Sequence, residues 1–221
     1  MNTNAEFDHG LYYHLYGRTN NKELLFKSQD NRDFFLRRLK HYLGDYILIH
    51  AYALMSNHYH LSIKVKDEKY ILISLQSLSI YEMTNVQKEY IEEDSKEKVI
   101  AKLISSQFRR FFISYSQAFN KRHERTGNLF NRTFKRSIYD PEIKFKYLQF
   151  YIHHNGRKHS VVKSFEKYLH QSYHEIVKGD SDVIDMNELI FRFGTIEEFV
   201  SFHNAVHYEE KFEDVIIEEE W

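Results

Sequence analysis

Two histidines separated by one residue are the feature of the sequence that most clearly points to chemistry. His58 and His60 lie in residues 57–65, where polar and apolar residues alternate strictly. This alternation predicts a β-strand, on which residues two apart share a face, so both histidines lie on its polar face with Ser62 and Lys64. Two imidazoles so placed could bind one divalent cation and leave positions open for a third ligand and substrate oxygens. The plain alternative is a solvated sheet face, because this short spacing arises easily among 14 histidines.

A tyrosine and an asparagine one helical turn apart form a second candidate group. The pattern of residues 141–155 predicts a helix, on which Tyr147, Tyr151 and Asn155 stack on one face with His154 at the flank. A tyrosine oxygen and an amide oxygen so spaced could approach the same ion, and an amide oxygen suits Mg²⁺ or Mn²⁺. The alternative is an amphipathic helix whose tyrosines pack in the core.

The elements that must position these residues follow the order β-α-β-β-α-β, with one further helix. Strands are predicted at residues 10–19, 46–53, 57–65 and 129–139, and helices at residues 30–43, 104–119 and 141–155. This order predicts an α+β fold: a ferredoxin-like palm with an antiparallel sheet, an additional helix bearing Tyr151 and a C-terminal helical tail.

Two further segments carry specific expectations. Residues 66–98 show no clear period and are rich in charge, which predicts an exposed insertion or loop. Gly156 is expected to cap the end of the Tyr151 helix. We expect one domain over residues 1–175 and an acidic, helical extension over residues 176–221.

The composition excludes several classes of protein. Hydrophobic residues make up 42% and aromatic residues 16% of the 221, which is enough apolar surface for a core. The absence of cysteine excludes disulfide scaffolds, iron–sulfur clusters and a cysteine nucleophile. No apolar run approaches the roughly 18 residues that span a bilayer, and the first ten residues do not resemble a signal peptide. We therefore expect a cytoplasmic protein without membrane contact.

Charge is distributed unevenly along the chain. The net charge is only −1, but residues 101–160 hold 13 basic and 3 acidic residues, whereas residues 180–221 hold 2 basic and 13 acidic residues. This asymmetry indicates a basic surface for a polyanion and an acidic tail. The plain alternative is a solvated helix face together with an acidic tail.

Together, the motifs resemble those of the REP-associated tyrosine transposases, which are small single-domain HUH transposases of bacterial insertion elements. The resemblance covers residues 10–175, and its order is more specific than any one motif. It rests on the residues 17–20 (GRTN), 55–61 (MSNHYHL), 119–123 (FNKRH), 127–130 (GNLF), 134–135 (FK) and 151–155 (YIHHN).

The resemblance implies a DNA transposase that cleaves and rejoins strands. His58 and His60 would bind a divalent metal, magnesium or manganese, and Asn155 would complete its site. Tyr151 would attack the phosphate and form a 5′-phosphotyrosine intermediate. The chain departs from the family at Gly156, where a proline is common, and His154 is a competing ligand beside Asn155.

The expected partner is single-stranded or hairpin DNA, bound by a monomer or a homodimer. Phosphate contacts position DNA without reading its sequence. The residues expected to make DNA contacts are Arg18, Arg109, Arg110, Asn120, Lys121, Arg122, Arg132, Lys135 and Arg136.

Two other functions stay open at this point. The first is a non-catalytic, domesticated nucleic-acid-binding module that uses the same sheet and basic face. The second is a metal-dependent hydrolase in which His58 and His60 serve a water nucleophile. A covalent protein–DNA adduct would distinguish the transposase from both.

Overall fold

The computed structural model describes residues 4–20, 23–131 and 134–205, which build a four-stranded sheet between two layers of helices. The strands are β1 (Tyr12–Arg18), β2 (Ile47–Leu54), β3 (His58–Val65) and β4 (Lys135–Ile138). They pair in the order β2-β3-β1-β4, and all three pairings are antiparallel. The predicted α+β, ferredoxin-like palm is confirmed.

Eight α-helices lie in the described residues. They are α1 (Gln29–Leu43), α2 (Glu68–Gln76), α3 (Asn85–Glu92), α4 (Ile100–Arg122), α5 (Pro141–Lys158), α6 (Tyr173–Lys178), α7 (Met186–Phe193) and α8 (Ile196–Asn204). None of these helices combines the length and the apolar character needed to cross a bilayer.

Helices α1 and α4 cover one face of the sheet. The ring of Tyr59 on β3 lies 5.3 Å from that of Phe35 on α1 and 6.2 Å from that of Phe112 on α4. Leu61 and Ile63 follow on the same face at 1% and 0% exposure. This layer is the apolar core that the alternation of β3 predicts.

Helix α5 covers the opposite face, and α7 and α8 pack beside it. Asp140 caps α5 by accepting a hydrogen bond from the Glu142 amide, with Pro141 in the first turn. Inside the layer, the Gln149 amide nitrogen donates to Ser62 Oγ on β3 at 3.0 Å. The face that bears the two histidines is therefore buried beneath a helix.

Three local predictions are wrong. The segment at 66–98 is not a loop, because α2 and α3 form there and bury Ile71 and Tyr90 completely. The strand predicted at residues 129–139 is shorter, since only β4 pairs continuously with β1.

The third error concerns the end of α5. The helix continues through Gly156 to Lys158, so Gly156 is not its cap. A Cβ atom at Gly156 would lie 2.7 Å from Cγ of Tyr168. This glycine lets the Tyr168 ring pack directly on the helix backbone.

The C-terminal tail is helical as far as it is described. Thr195 caps α8 by accepting a hydrogen bond from the Glu198 amide. The acidic segment that follows, residues 206–221, lies outside the described residues.

Candidate active site

His58 and His60 lie on one face of β3, as predicted, but that face is not solvated. Their side chains are buried, with only 6% and 3% exposure, because α5 and its C-terminal end cover them. The rings of the two histidines stand 5.4 Å apart at 87°. The alternative of a solvated sheet face is therefore wrong, because a helix distant in the sequence packs over this face.

Each of these imidazoles has a hydrogen-bond partner on one ring nitrogen. Nδ1 of His58 lies 2.7 Å from Oδ1 of Asn57, which can only accept, so Nδ1 carries the proton and Nε2 has the lone pair. Nδ1 of His60 lies 3.0 Å from Nε2 of His14 on β1. Metal-binding histidines commonly engage their second ring nitrogen in this way.

Both imidazoles are held in the neutral form. Burial, together with a smaller effect of the neighbouring His159, lowers the pKa of His58 to about 3. Burial also lowers the pKa of His60 well below its ordinary range, helped by the nearby His14 and His58. A neutral imidazole is the form that binds a metal ion.

Tyr151 on α5 faces this histidine cluster. Its ring lies 5.7 Å from that of His60 and 5.8 Å from that of His14, edge-on to both. Nζ of Lys158, two turns further along α5, lies 5.0 Å from the centre of the Tyr151 ring. The candidate nucleophile therefore has two imidazoles and an ammonium group around its ring.

The competing tyrosines lie elsewhere. Tyr147 packs on Phe202 of α8, with the ring centres 5.5 Å apart. Tyr139 is buried against the sheet, where its hydroxyl bonds to Ser62 Oγ at 2.9 Å and burial raises its pKa. The geometry thus favours Tyr151 over both.

Asn155 and His154 point in different directions. Nδ2 of Asn155 donates to the Tyr151 carbonyl oxygen at 2.9 Å, and its Oδ1 is buried without a hydrogen-bond partner in the described residues. His154 stacks between the rings of Phe150 and Phe165, and its Nε2 lies 3.2 Å from the His203 carbonyl oxygen. His154 therefore faces α8, which disfavours it as a ligand in place of Asn155.

The donor set fits a divalent cation with few protein ligands. No cluster of three or more His, Cys, Asp or Glu side chains in the described part of the chain is arranged to hold a metal ion. The candidate ligands are two neutral imidazoles and the amide oxygen of Asn155, which has no hydrogen-bond partner in the part of the chain that the structure describes. Such a set suits an ion that takes its remaining ligands from water and phosphate oxygens.

The basic residues of α4 lie on the other side of the sheet. Arg109, Lys121 and Arg122 are exposed, and the Arg110 guanidinium lies 5.2 Å from the Tyr42 ring centre on α1. Arg122 pairs with Asp30 at 3.0 Å, and Asn120 donates to the Gly127 carbonyl oxygen. The structure separates these residues from the histidines by the thickness of the sheet.

The remaining predicted DNA contacts lie on or near β1 and β4. Arg18 pairs in register with His58 and lines a cleft of about 450 Å³, which Asn120 of α4 and the loop at 127–131 also line. Nζ of Lys135 lies 5.8 Å from the centre of the Tyr16 ring. Arg136 is half-buried over the Phe7 and Phe134 rings, and Arg132 lies outside the described residues.

Three further residues lie at the site, and no motif in the sequence identifies them. They are His14, Lys158 and His159, whose ring lies 5.0 Å from that of His58. Lys158 could have been found from its seven-residue spacing to Tyr151, which places both on one helix face. The other two become visible only once strand register and the helix end are known.

A similar fold occurs among solved protein structures. No protein-family profile and no curated protein sequence matches the chain. Among solved structures, a REP-associated tyrosine transposase bound to a REP hairpin is similar, with a TM-score of 0.55 and 14% identity over 82% of this chain and 90% of that one. The resemblance indicated by the sequence motifs is thereby confirmed at the level of the fold: this chain has the architecture of a REP-associated tyrosine transposase.

Proposed function

We propose that this protein is a DNA transposase that cleaves and rejoins single-stranded or hairpin DNA through a 5′-phosphotyrosine intermediate. The main support for the proposal is that Tyr151 packs against His60, which lies on the same face of the sheet as His58. A similarly folded transposase is bound to a DNA hairpin, which supports DNA as the substrate.

The reaction begins at the hydroxyl of Tyr151. Its oxygen forms a bond to the phosphorus of a DNA phosphodiester, and the bond from phosphorus to the 3′ oxygen breaks. The phenol proton passes to solvent, and the departing oxygen takes up a proton to become a 3′-OH. Attack by a 3′-OH on the phosphotyrosine reverses these steps and rejoins DNA without an external energy source.

The residues around Tyr151 have distinct roles in this proposal. Nε2 of His58, Nε2 of His60 and Oδ1 of Asn155 would hold a magnesium or manganese ion. That ion would supply Lewis-acid polarisation of the scissile phosphate. Lys158 places a positive charge beside the Tyr151 ring, which favours the developing phenoxide and the approach of an anionic phosphate.

The path of the DNA is proposed from the positions of the cationic groups. Arg18 lies beside His58 in register and also lines the cleft shared with Asn120, so it links the histidine face to the α4 side of the sheet. Arg109 and Lys121 on the exposed side of α4 would contact phosphates further from the scissile bond.

A gel assay with labelled oligonucleotides tests this function. The protein is incubated with Mn²⁺ and either a single-stranded or a hairpin DNA, and the products are separated under denaturing conditions. The proposal requires a protein-linked DNA band and a released strand with an extensible 3′-OH. Binding without cleavage would favour the non-catalytic module, and cleavage without an adduct would favour a hydrolase that uses water.

A further inference from the structure

The residue that holds His60 in place lies on a different strand. Nε2 of His14 on β1 lies 3.0 Å from Nδ1 of His60 on β3, and the two rings stack at 5.2 Å and 23°. His14 is 2% exposed. Both groups are therefore part of one buried contact between neighbouring strands.

The strand register explains why this pair forms. His14 lies directly opposite Ser62, and Tyr16 lies opposite His60, so His14 and His60 are diagonal neighbours on the face covered by α5. Diagonal neighbours on an antiparallel pair are close enough for long side chains to meet.

One proton is shared between the two facing nitrogens, so the contact has two possible directions. If Nδ1 of His60 donates, Nε2 of His60 keeps a lone pair. If Nε2 of His14 donates instead, Nε2 of His60 carries the proton of the neutral ring and cannot bind a cation. The direction of this single hydrogen bond therefore decides whether His60 can serve as a ligand.

We propose that His14 is a positioning residue that accepts the Nδ1 proton of His60 and so fixes both the tautomer and the ring orientation in which His60 Nε2 binds the divalent cation. This inference rests on the proposed function. In this role His14 would contact neither the cation nor the DNA. Its role is to hold the ligand, as second-layer partners of metal-binding histidines commonly do.

The chemistry of His14 also distinguishes this site from metal sites in which a carboxylate accepts the hydrogen bond of the metal-binding histidine. A neutral imidazole acceptor adds no negative charge beside the cation. The cation therefore keeps more of its charge to act on a phosphate, and its binding is weaker than at a carboxylate-supported site.

Two variants and a control test the inference by metal affinity. His14→Phe keeps a ring but removes the acceptor, and we expect Mn²⁺ affinity, measured by calorimetry, to fall by roughly 10–100-fold. His14→Gln offers Oε1 where the imidazole offers Nε2, so we expect it to retain most of the wild-type affinity. Tyr13→Phe, at the next position on β1, removes a hydroxyl that bonds to the Glu6 carbonyl oxygen and should leave Mn²⁺ affinity unchanged.

A second measurement does not depend on any variant folding. Long-range ¹H–¹⁵N spectra of the metal-free wild-type protein should show the His60 proton on Nδ1, because His14 and not a bound cation then fixes the tautomer. A proton on Nε2, or unchanged Mn²⁺ affinity in a folded His14→Phe protein, would overturn the role of His14. If the wild type cleaves DNA in Mn²⁺ and His14→Phe binds Mn²⁺ equally well, only this inference fails. If the wild type neither binds Mn²⁺ nor forms an adduct, the proposed function fails with it.

Discussion

The ring of Tyr151 on α5 stands edge-on to the imidazole of His60 on β3, with the ring centres 5.7 Å apart and the planes at 89°. This contact joins the candidate nucleophile to a candidate metal ligand across the boundary between helix and sheet. It exists because α5 lies over the polar face of β3, and the consequences of this arrangement can be tested residue by residue.

The first prediction concerns the two histidines on β3. His58→Ala or His60→Ala should abolish both Mn²⁺ binding and DNA cleavage, because each removes one of the two proposed imidazole ligands. Since both side chains are buried, each change should also lower the free energy of unfolding by roughly 1–3 kcal/mol. Calorimetry, cleavage assays and urea denaturation measure these effects.

The exposed histidine of α1 provides the control for this experiment. His41→Ala should leave metal binding, cleavage and stability unchanged. Cleavage by a protein that carries both His58→Ala and His60→Ala, or by the wild type in an excess of chelator, would show that the reaction does not need a metal ion.

The second prediction concerns the ammonium group beside Tyr151, the proposed nucleophile. Lys158→Gln should slow adduct formation by about tenfold or more, because a charge that favours the phenoxide and the phosphate is lost. DNA affinity should change much less than the rate. Single-turnover cleavage at saturating DNA separates the two quantities.

Arg157→Gln is the matched control, since it removes the same charge from the adjacent, exposed position of α5. Equal losses of rate in both variants would show that Lys158 acts only through the overall positive charge of this surface, and not through its position beside Tyr151.

The third prediction concerns the exposed side of α4. If Arg109 and Lys121 each neutralise a phosphate, Arg109→Gln and Lys121→Gln should each reduce the slope of log affinity against log salt by about 0.7 on single-stranded DNA. The loss should be similar for all DNA sequences. Fluorescence anisotropy at several salt concentrations measures the slope.

Lys102→Gln serves as the comparison, because Lys102 on the same helix pairs with Glu89 at 2.6 Å. A salt slope that stays at the wild-type value in all three variants would exclude this surface from DNA binding.

The fourth prediction concerns the pH dependence of stability. Burial lowers the pKa of His50 on β2 from 6.5 to about 3, so the unfolded chain takes up a proton at a pH where the folded protein does not. The contribution of His50 to the free energy of unfolding is therefore fully present above about pH 6.5. It is lost as the pH falls toward 3, at about 1.4 kcal/mol per pH unit. His58 adds a contribution of the same sign.

His50→Phe should weaken this pH dependence. It should lower the free energy of unfolding only slightly at neutral pH, because neither ring nitrogen of His50 has a hydrogen-bond partner in the described residues. Urea denaturation between about pH 7 and pH 4 measures the change. An unaltered pH dependence in His50→Phe would assign the acid sensitivity to other groups.

Most of the sheet and the shared face of His58 and His60 could be predicted, because both follow from periodicity within one segment. The covering of that face could not, since it depends on how α5 packs against a strand far away in the sequence. The role of Gly156 was mistaken for the same reason: a glycine near a helix end commonly caps it, but here the Tyr168 ring requires the space.

His14 illustrates the limit of sequence patterns at the site itself. It is one histidine in an aromatic strand, and no spacing within β1 distinguishes it. Its importance depends on the register of β1 against β3, which places it diagonally across from His60. Strand register comes from tertiary packing, so the contact is visible only in three dimensions.

The identity of the nucleophile is the central claim and the fifth prediction. Wild-type protein is incubated with single-stranded or hairpin DNA and Mn²⁺, and the adduct is digested and mapped by peptide mass spectrometry. The modification should lie on Tyr151, and Tyr151→Phe should lose both adduct and cleavage while retaining DNA binding, because phenylalanine cannot form a phosphoester. Tyr147→Phe, one turn earlier on α5, should retain both. An adduct on Tyr147 or Tyr139, or undiminished cleavage by Tyr151→Phe, would contradict the account.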